Sequence, residues 1–223
     1  MSNTNHFICL DFETGGLKPK KNPITQVALK GFSCNDFSEI CEFETYVKPY
    51  DDLELDEAAL KATGITYSDI MNGMDIKLAM TNIVEQIEKV KAISSRTHKP
   101  ILVGHNVKFD IGFLLYAADK TKTDLSKYLD GETDHKNNFY PTYIDTLYLS
   151  RILWANDPNM SKFNLTACCR KAQIEEFDAH SAMNDVIATK ELLIYLLNRM
   201  RNSNSENIEQ KEARFRDNFF FQY

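Results

Sequence analysis

Cysteine is scarce in this chain of 223 residues. The five present, Cys9, Cys34, Cys41, Cys168 and Cys169, form an odd set with no CxxC pair and no zinc-like spacing. A disulfide-stapled scaffold and a thiolate zinc site are therefore excluded, and reduced structural thiols in a cytosol are expected. Positive charge is in deficit as well: 26 Lys and Arg against 32 Asp and Glu leave a formal net charge of −6. Such a balance argues against non-specific gripping of nucleic acid through a basic surface, though not against an enzyme that acts on nucleic acid briefly and with metal help. Long apolar runs are missing too. The longest, Leu192 to Leu197, is far short of a bilayer span, and no basic segment leading into an apolar one opens the chain. No membrane association, no export signal and a cytoplasmic location, in a bacterium or a phage-infected cell, are the expectations.

What is present reads as one large domain with strands and helices interleaved. Phe7 to Phe12 is an almost unbroken apolar run stopped by Glu13-Thr14-Gly15-Gly16, the pattern of a strand buried on both faces. Ile24 to Phe32 and Glu39 to Val47, separated by a Ser33-Cys34-Asn35-Asp36 turn, predict a hairpin that continues from it. Helical spacing with Asp75 as N-cap marks a helix to Ile93; Pro100 to Val103 reads as a short strand. A helix over Asn106 to Ala118, capped by Asn106, follows. Tyr143 to Leu149 begins as a strand, and helices are expected over Leu165 to Ala172 and Ser181 to Met200. Thr121 to Thr142 is polar and reads as a long loop or insertion. This order indicates an α/β fold with a mixed sheet. Residues 1–200 form the domain. Residues 201–223 form a tail, polar and then aromatic, that either packs back or offers a partner-binding peptide.

The carboxylates stand out by position. Asp11 and Glu13 alternate along one strand, so they share a face at its C-terminal end, where ligands bind in open α/β sheets. Asp110 falls on a helical stripe with Val107, Phe113, Leu114 and Ala117; Asp185 falls on one with Ala182, Thr189, Leu192 and Leu196. Carboxylates on core-facing stripes must be neutralised, hydrogen-bonded or bound to a cation. An all-oxygen set suits a hard cation, Mg²⁺ or Mn²⁺. His180, five residues before Asp185, sits where a helix N-terminus and nearby cations disfavour imidazolium, so a neutral ring is available as a general base.

Three segments, Asp11-Phe12-Glu13-Thr14-Gly15-Gly16, His105-Asn106-Val107-Lys108-Phe109-Asp110 and His180-Ser181-Ala182-Met183-Asn184-Asp185, together resemble the motifs of DEDDh 3′→5′ exonucleases. That is the family of the proofreading subunit of bacterial replicative DNA polymerase. The resemblance runs from about Phe7 to Met200. It implies a ribonuclease-H-like fold, with a central mixed five-stranded sheet flanked by helices. It implies that Asp11, Glu13, Asp110 and Asp185 hold two divalent cations, Mg²⁺ or Mn²⁺, and that His180 deprotonates the attacking water. By the same resemblance Thr14 and Leu17 lie against the 3′-terminal nucleotide with Asn106 beside it, and Asp145-Thr146 marks a helix start.

The implied activity is release of nucleoside monophosphates from the 3′ end of single-stranded DNA, with proofreading as a role. The alternatives are 3′→5′ trimming of RNA, as by an oligoribonuclease or an RNase-T-like enzyme, and a mainly docking subunit of a polymerase assembly tethered through the tail. Lys18, Lys20, Lys21 and Lys108 lie near the motifs and read equally as backbone guides or as ordinary surface lysines. Two bound divalent ions would cancel most of the net charge of −6.

Overall fold

The structure, a computed structural model, describes residues 5–95, 97–175 and 181–219, the part beyond residue 201 as backbone only. Its frame is a five-stranded sheet. Strands β1 (Phe7–Thr14), β2 (Ile24–Phe32) and β3 (Glu39–Tyr46) form an antiparallel meander. Strand β4 (Ile101–Gly104) then pairs parallel to β1, pairing Phe7 with Ile101 and Cys9 with Val103. Beyond it, reached through a separate hairpin of β5 (Gly131–Thr133) and β6 (Phe139–Pro141), lies β7 (Tyr143–Asp145), giving the order β3-β2-β1-β4-β7. The mixed five-stranded sheet expected from the resemblance is present.

Helices cover both faces. Between β3 and β4 run α1 (Glu57–Thr63), α2 (Tyr67–Met71) and α3 (Ile76–Ile93); α4 (Lys108–Thr121) follows β4. After β7 come α5 (Thr146–Leu153), α6 (Leu165–Ala172) and α7 (Ala182–Phe219). The strand period divides β1 cleanly. Ile8, Leu10 and Phe12 pack with Ala79, Met80 and Ile83 of α3 and with Phe113 and Leu114 of α4. Cys9 points the other way, into a cluster with Ala182, Val186 and Leu193 of α7. Both faces of β2 are covered, so all nine of its residues are buried, whereas edge strand β3 alternates and carries Glu39, Glu42 and Glu44.

Several boundaries differ from the sequence reading, each for a local reason. Asp75 does cap α3, accepting from Lys77 N at 2.8 Å. Asn106 does not cap α4: the helix begins at Lys108, Asn106 adopts a left-handed φ of 62°, and the cap position falls on Val107 without a side-chain bond. The 121–142 stretch is not a plain loop. It holds a 3₁₀ turn (Leu125–Lys127), which buries Leu125, and the β5–β6 hairpin. Helices α1 and α2 were absent from the sequence reading, although Thr66 and Asp69 form a reciprocal capping box at the start of α2. The helical backbone of α7 continues past Met200 to Phe219, since no glycine or proline interrupts that segment. No helix among the described residues is long and apolar enough to cross a membrane, and all five cysteines are unpaired.

Candidate active site

Asp11 and Glu13 leave β1 on the face that meets α7. The first turn of α7 lies over that strand end and delivers Asp185 to them. Oxygens of Asp11, Glu13 and Asp185 all lie within 4.8 Å of one another, and each residue is partly buried. Asp110 comes from the first turn of α4, behind the strand. It is 4% exposed, and its Oδ1 accepts from the backbone N–H of Phe12 at 3.0 Å. That bond ties the fourth carboxylate to the peptide lying between the first two.

Burial and mutual repulsion dominate the electrostatics. Desolvation first, then the charges of Asp110, Asp185 and Glu13, push the Asp11 carboxyl well above the usual carboxylate range. Burial and then Asp185 raise Glu13 to about 7. Burial also raises Asp110 to about 7, against the opposing bond from Phe12 N–H. Among the described residues, no lysine or arginine forms an ion pair with Asp11, Glu13 or Asp110. Crowded carboxylates without a cation of their own fit a hard divalent ion, which would favour their ionised forms and relieve the repulsion. The nearby Cys9 thiol is turned to α7 instead, donating to Val186 O at 3.6 Å, and burial, then Asp11 and Asp110, push its pKa well up.

Beside the carboxylates opens a cavity of about 400 Å³, lined by Glu13, Thr14, Leu17 and Phe109 and by Ala58 and Ala62 of α1. Thr14 is buried, and its hydroxyl donates to Gly16 O at 2.7 Å. Leu17 is 80% exposed, at the tip of the turn. Gly16 is required there. Its φ is +154°, and a Cβ would come within 2.4 Å of the Asn22 side chain. The small side chains of α1 keep the opposite wall open. This helix contributes to the site and was missed, because seven residues with no buried position carry no amphipathic signal.

The turn before α4 is held from behind. Asp145, the last residue of β7, accepts from Asn106 N at 2.9 Å and from Leu147 N at 3.0 Å through Oδ1, so one carboxylate fixes the Asn106 turn and caps α5. The helix-start reading of Asp145 holds; its bond to Asn106 was not foreseen. His105 Nε2 donates to Phe163 O at 2.8 Å, and Nδ1 lies 3.0 Å from Thr146 Oγ1. Burial lowers the His105 pKa, so the ring is a neutral brace between β4, α5 and the segment before α6.

Of the residues singled out in the sequence, Asp11, Glu13 and Asp185 converge, Asp110 is bonded to the strand between them, and Thr14 and Leu17 line the adjoining cavity. Asn106 is exposed on its turn and does not line that cavity. His180 lies outside the described residues.

An acidic strand end on a mixed sheet, crossed by an acidic helix and beside a nucleotide-sized cavity, defines a candidate metal-dependent hydrolase. The exonuclease family pattern matches residues 8–193, and the chain belongs to that family, whose members use divalent metal. It is 26% identical over 202 residues to ribonuclease T of Shewanella frigidimarina, covering 87% of this chain and 83% of that protein. Against ribonuclease T of Haemophilus influenzae it is 24% identical over 204 residues, covering 87% and 80%. Among solved structures, E. coli exonuclease I in complex with a 5cy-dT13 oligonucleotide superposes with a TM-score of 0.69 at 22% identity. The match spans 89% of this chain and 42% of exonuclease I, so the likeness concerns well under half of that larger protein.

Proposed function

We propose that this protein is a cytoplasmic 3′→5′ exonuclease of the DEDDh type, which removes nucleoside monophosphates one at a time from single-stranded ends. The observation that carries the reading is the convergence of Asp11, Glu13 and Asp185 within 4.8 Å, beside a cavity that Glu13 itself lines. In this reading Asp11, Glu13, Asp110 and Asp185 hold two divalent cations, Mg²⁺ or Mn²⁺. When bound, these would supply Lewis-acid polarisation of the phosphodiester and charge neutralisation at the leaving 3′-oxygen.

The remaining work belongs to the chain. Asp110, with Oδ1 held by Phe12 N–H, would complete the carboxylate set from behind the strand. His180 accepts the proton of the attacking water at an imidazole nitrogen. Thr14 and Leu17 seat the terminal nucleotide in the cavity, its base against Leu17, Phe109 and the alanine face of α1. Asn106, fixed by Asp145, offers a polar group beside the sugar–phosphate. Unstacked ends reach such a cavity more readily than paired ones. Residues 1–200 are the catalytic domain and residues 201–223 an appendage to it.

Trimming of RNA 3′ ends is the second reading of the same chemistry. It is favoured by a specific observation: the two ribonucleases T align with this chain over at least four-fifths of their own length.

One digestion panel tests both readings, using 5′-labelled single-stranded DNA, double-stranded DNA and RNA with Mg²⁺ or Mn²⁺, for the wild type and His180→Ala. A ladder that shortens from the 3′ end, with turnover in the variant reduced by about a hundredfold or more, is the expected result. Shortening from the 5′ end would refute the polarity, and undiminished turnover in the variant would remove His180 from the reaction. Preference for RNA over DNA in the same panel selects the second reading.

A further inference from the structure

The loop between β1 and β2 separates two cavities. On one side lies the 400 Å³ cavity that Leu17 overhangs. On the other, Lys18, Pro19, Lys20 and Lys21 face Leu115 and Tyr116 of α4 across a cleft of about 600 Å³. The loop is fixed in place. Gly15 N donates to Pro23 O at 2.8 Å, and Asn22 N donates to Lys18 O at 2.8 Å. The Asn22 side chain accepts from Lys18 N at 3.0 Å and donates to Glu54 O at 3.0 Å. Pro19 rests so near α4 that a Cβ on Gly112 would lie 3.3 Å from its Cγ.

Three lysines on a fixed loop are notable in a chain of net charge −6. Elsewhere among the described residues Lys30, Lys120, Lys171 and Lys190 each have a carboxylate partner, and those without one, Lys48, Lys61 and Lys108 among them, do not cluster three in four residues on one cleft wall. Lys18, Lys20 and Lys21 are exposed, and among the described residues none forms an ion pair. Among the described residues the one acid on the cleft wall, Asp119, lies 3.4 Å from Lys122. The cleft lies next to the site along both the loop and α4, Leu17 lining one cavity and Lys18 the other. Phe109 lines the first cavity and Tyr116 the second, seven residues along one helix, or about 10 Å at ~1.5 Å per residue. At a stacked spacing of about 3.4 Å per nucleotide, that separation corresponds to roughly three nucleotides.

We propose that this cleft is an upstream strand-binding site. Lys18, Lys20 and Lys21 hold phosphates a few nucleotides from the 3′ end, and Leu115 and Tyr116 form an apolar wall for unstacked bases. A mixed basic and apolar groove is the chemistry that tracks single-stranded nucleic acid without reading its sequence. It reconciles an acidic protein with a polyanionic substrate by placing three unpaired lysines on one short path beside the site. A second basic cavity, of about 520 Å³ beside Lys162 and Lys171, has no lining residue on the β1–β2 loop or on α4, and Lys171 there is paired with Asp157.

The inference rests on the exonuclease reading but is tested apart from it. The experiment compares the wild type, the triple variant K18Q/K20Q/K21Q and Lys162→Gln in two measurements. One is fluorescence anisotropy of a labelled single-stranded 12-mer over a salt series; the other is cleavage of the 12-mer and of a dinucleotide. The triple variant, with a wild-type melting curve, is expected to bind the 12-mer at least tenfold more weakly. Its slope of log K against log salt should shrink by about two, at roughly 0.7 per phosphate contact for single strands. The advantage of the 12-mer over the dinucleotide in kcat/KM should fall at least tenfold. An unchanged salt slope, an equal loss on both substrates, or the loss appearing in Lys162→Gln instead would overturn the proposal. A wild type that cleaves neither DNA nor RNA would refute the exonuclease reading, while the anisotropy would still decide the cleft.

Discussion

Two groups of charged side chains lie on the same sheet and are treated oppositely. Toward the β3 edge, the buried Lys30 ammonium sits 3.0 Å from Glu39 and 2.8 Å from Glu42, and Lys190 of α7 reaches Glu39 at 3.2 Å. Hydrogen bonding to Lys30 lowers the Glu39 pKa, so charge is matched within the chain. At the end of β1, burial and like charge push Asp11, Glu13 and Asp110 upward. The first group neutralises itself. The second holds repulsion that protonation or a cation from outside must relieve, an arrangement that stability alone does not favour. The contrast separates a structural charge cluster from a functional one without reference to any relative.

The comparison breaks most visibly at Asp185. Asp185→Asn should lower turnover on a labelled oligonucleotide by about a thousandfold or more, since several kcal/mol of transition-state stabilisation is lost with the cation. Chelation of wild-type protein with EDTA should have the same effect. Full turnover in EDTA would refute the metal site. The next effect is on folding. Lys30→Met leaves Glu39 and Glu42 without their shared partner and should destabilise the fold by on the order of 2 kcal/mol, below the cost of a fully buried pair because both glutamates are more than half exposed. At about 2–4 °C per kcal/mol for a chain of this size, thermal melts read that loss directly. Turnover per folded molecule should stay within a few-fold of wild type. A large loss of turnover with an unchanged melting temperature would erase the distinction between the two clusters.

Much of this was legible in the sequence, because the signals were periodic. The alternation that places Asp11 and Glu13 on one face follows from the strand period, and the stripes carrying Asp110 and Asp185 follow from the helical one. All the expected stripe neighbours of Asp110 and Asp185 are buried. What failed to show was short or non-periodic. Helix α1 has no buried residue, and the β5–β6 strands are three residues each. The cap expected at Asn106 failed because Asp145, thirty-nine residues away, pulls its N–H into a left-handed turn. Long-range hydrogen bonds of that kind leave no local trace. The Lys30–Glu39–Lys190 cluster was hidden for the same reason: its members lie on three elements.

The smallest effect is the most specific to the comparison. Burial, then Asp185, raises the Glu13 carboxyl from 4.5 to about 7, so between those values the folded state binds more protons than the unfolded state. Stability of the metal-free protein must then fall as pH rises through that window, and above about 7 the full penalty is present. Glu13→Gln removes the ionisable group while keeping its volume. In EDTA the variant should match wild type near pH 4.5 and exceed it at pH 8, by on the order of 2 kcal/mol once solvent screening is allowed for. Thermal melts from pH 4.5 to 8 measure the difference. Adding Mg²⁺ should then reverse the order at pH 8, because the cation stabilises the folded state that binds it and the variant has lost a ligand. If Glu13→Gln were instead the less stable protein at pH 8 in EDTA, the carboxylate would belong with Glu39, as a residue the fold itself needs.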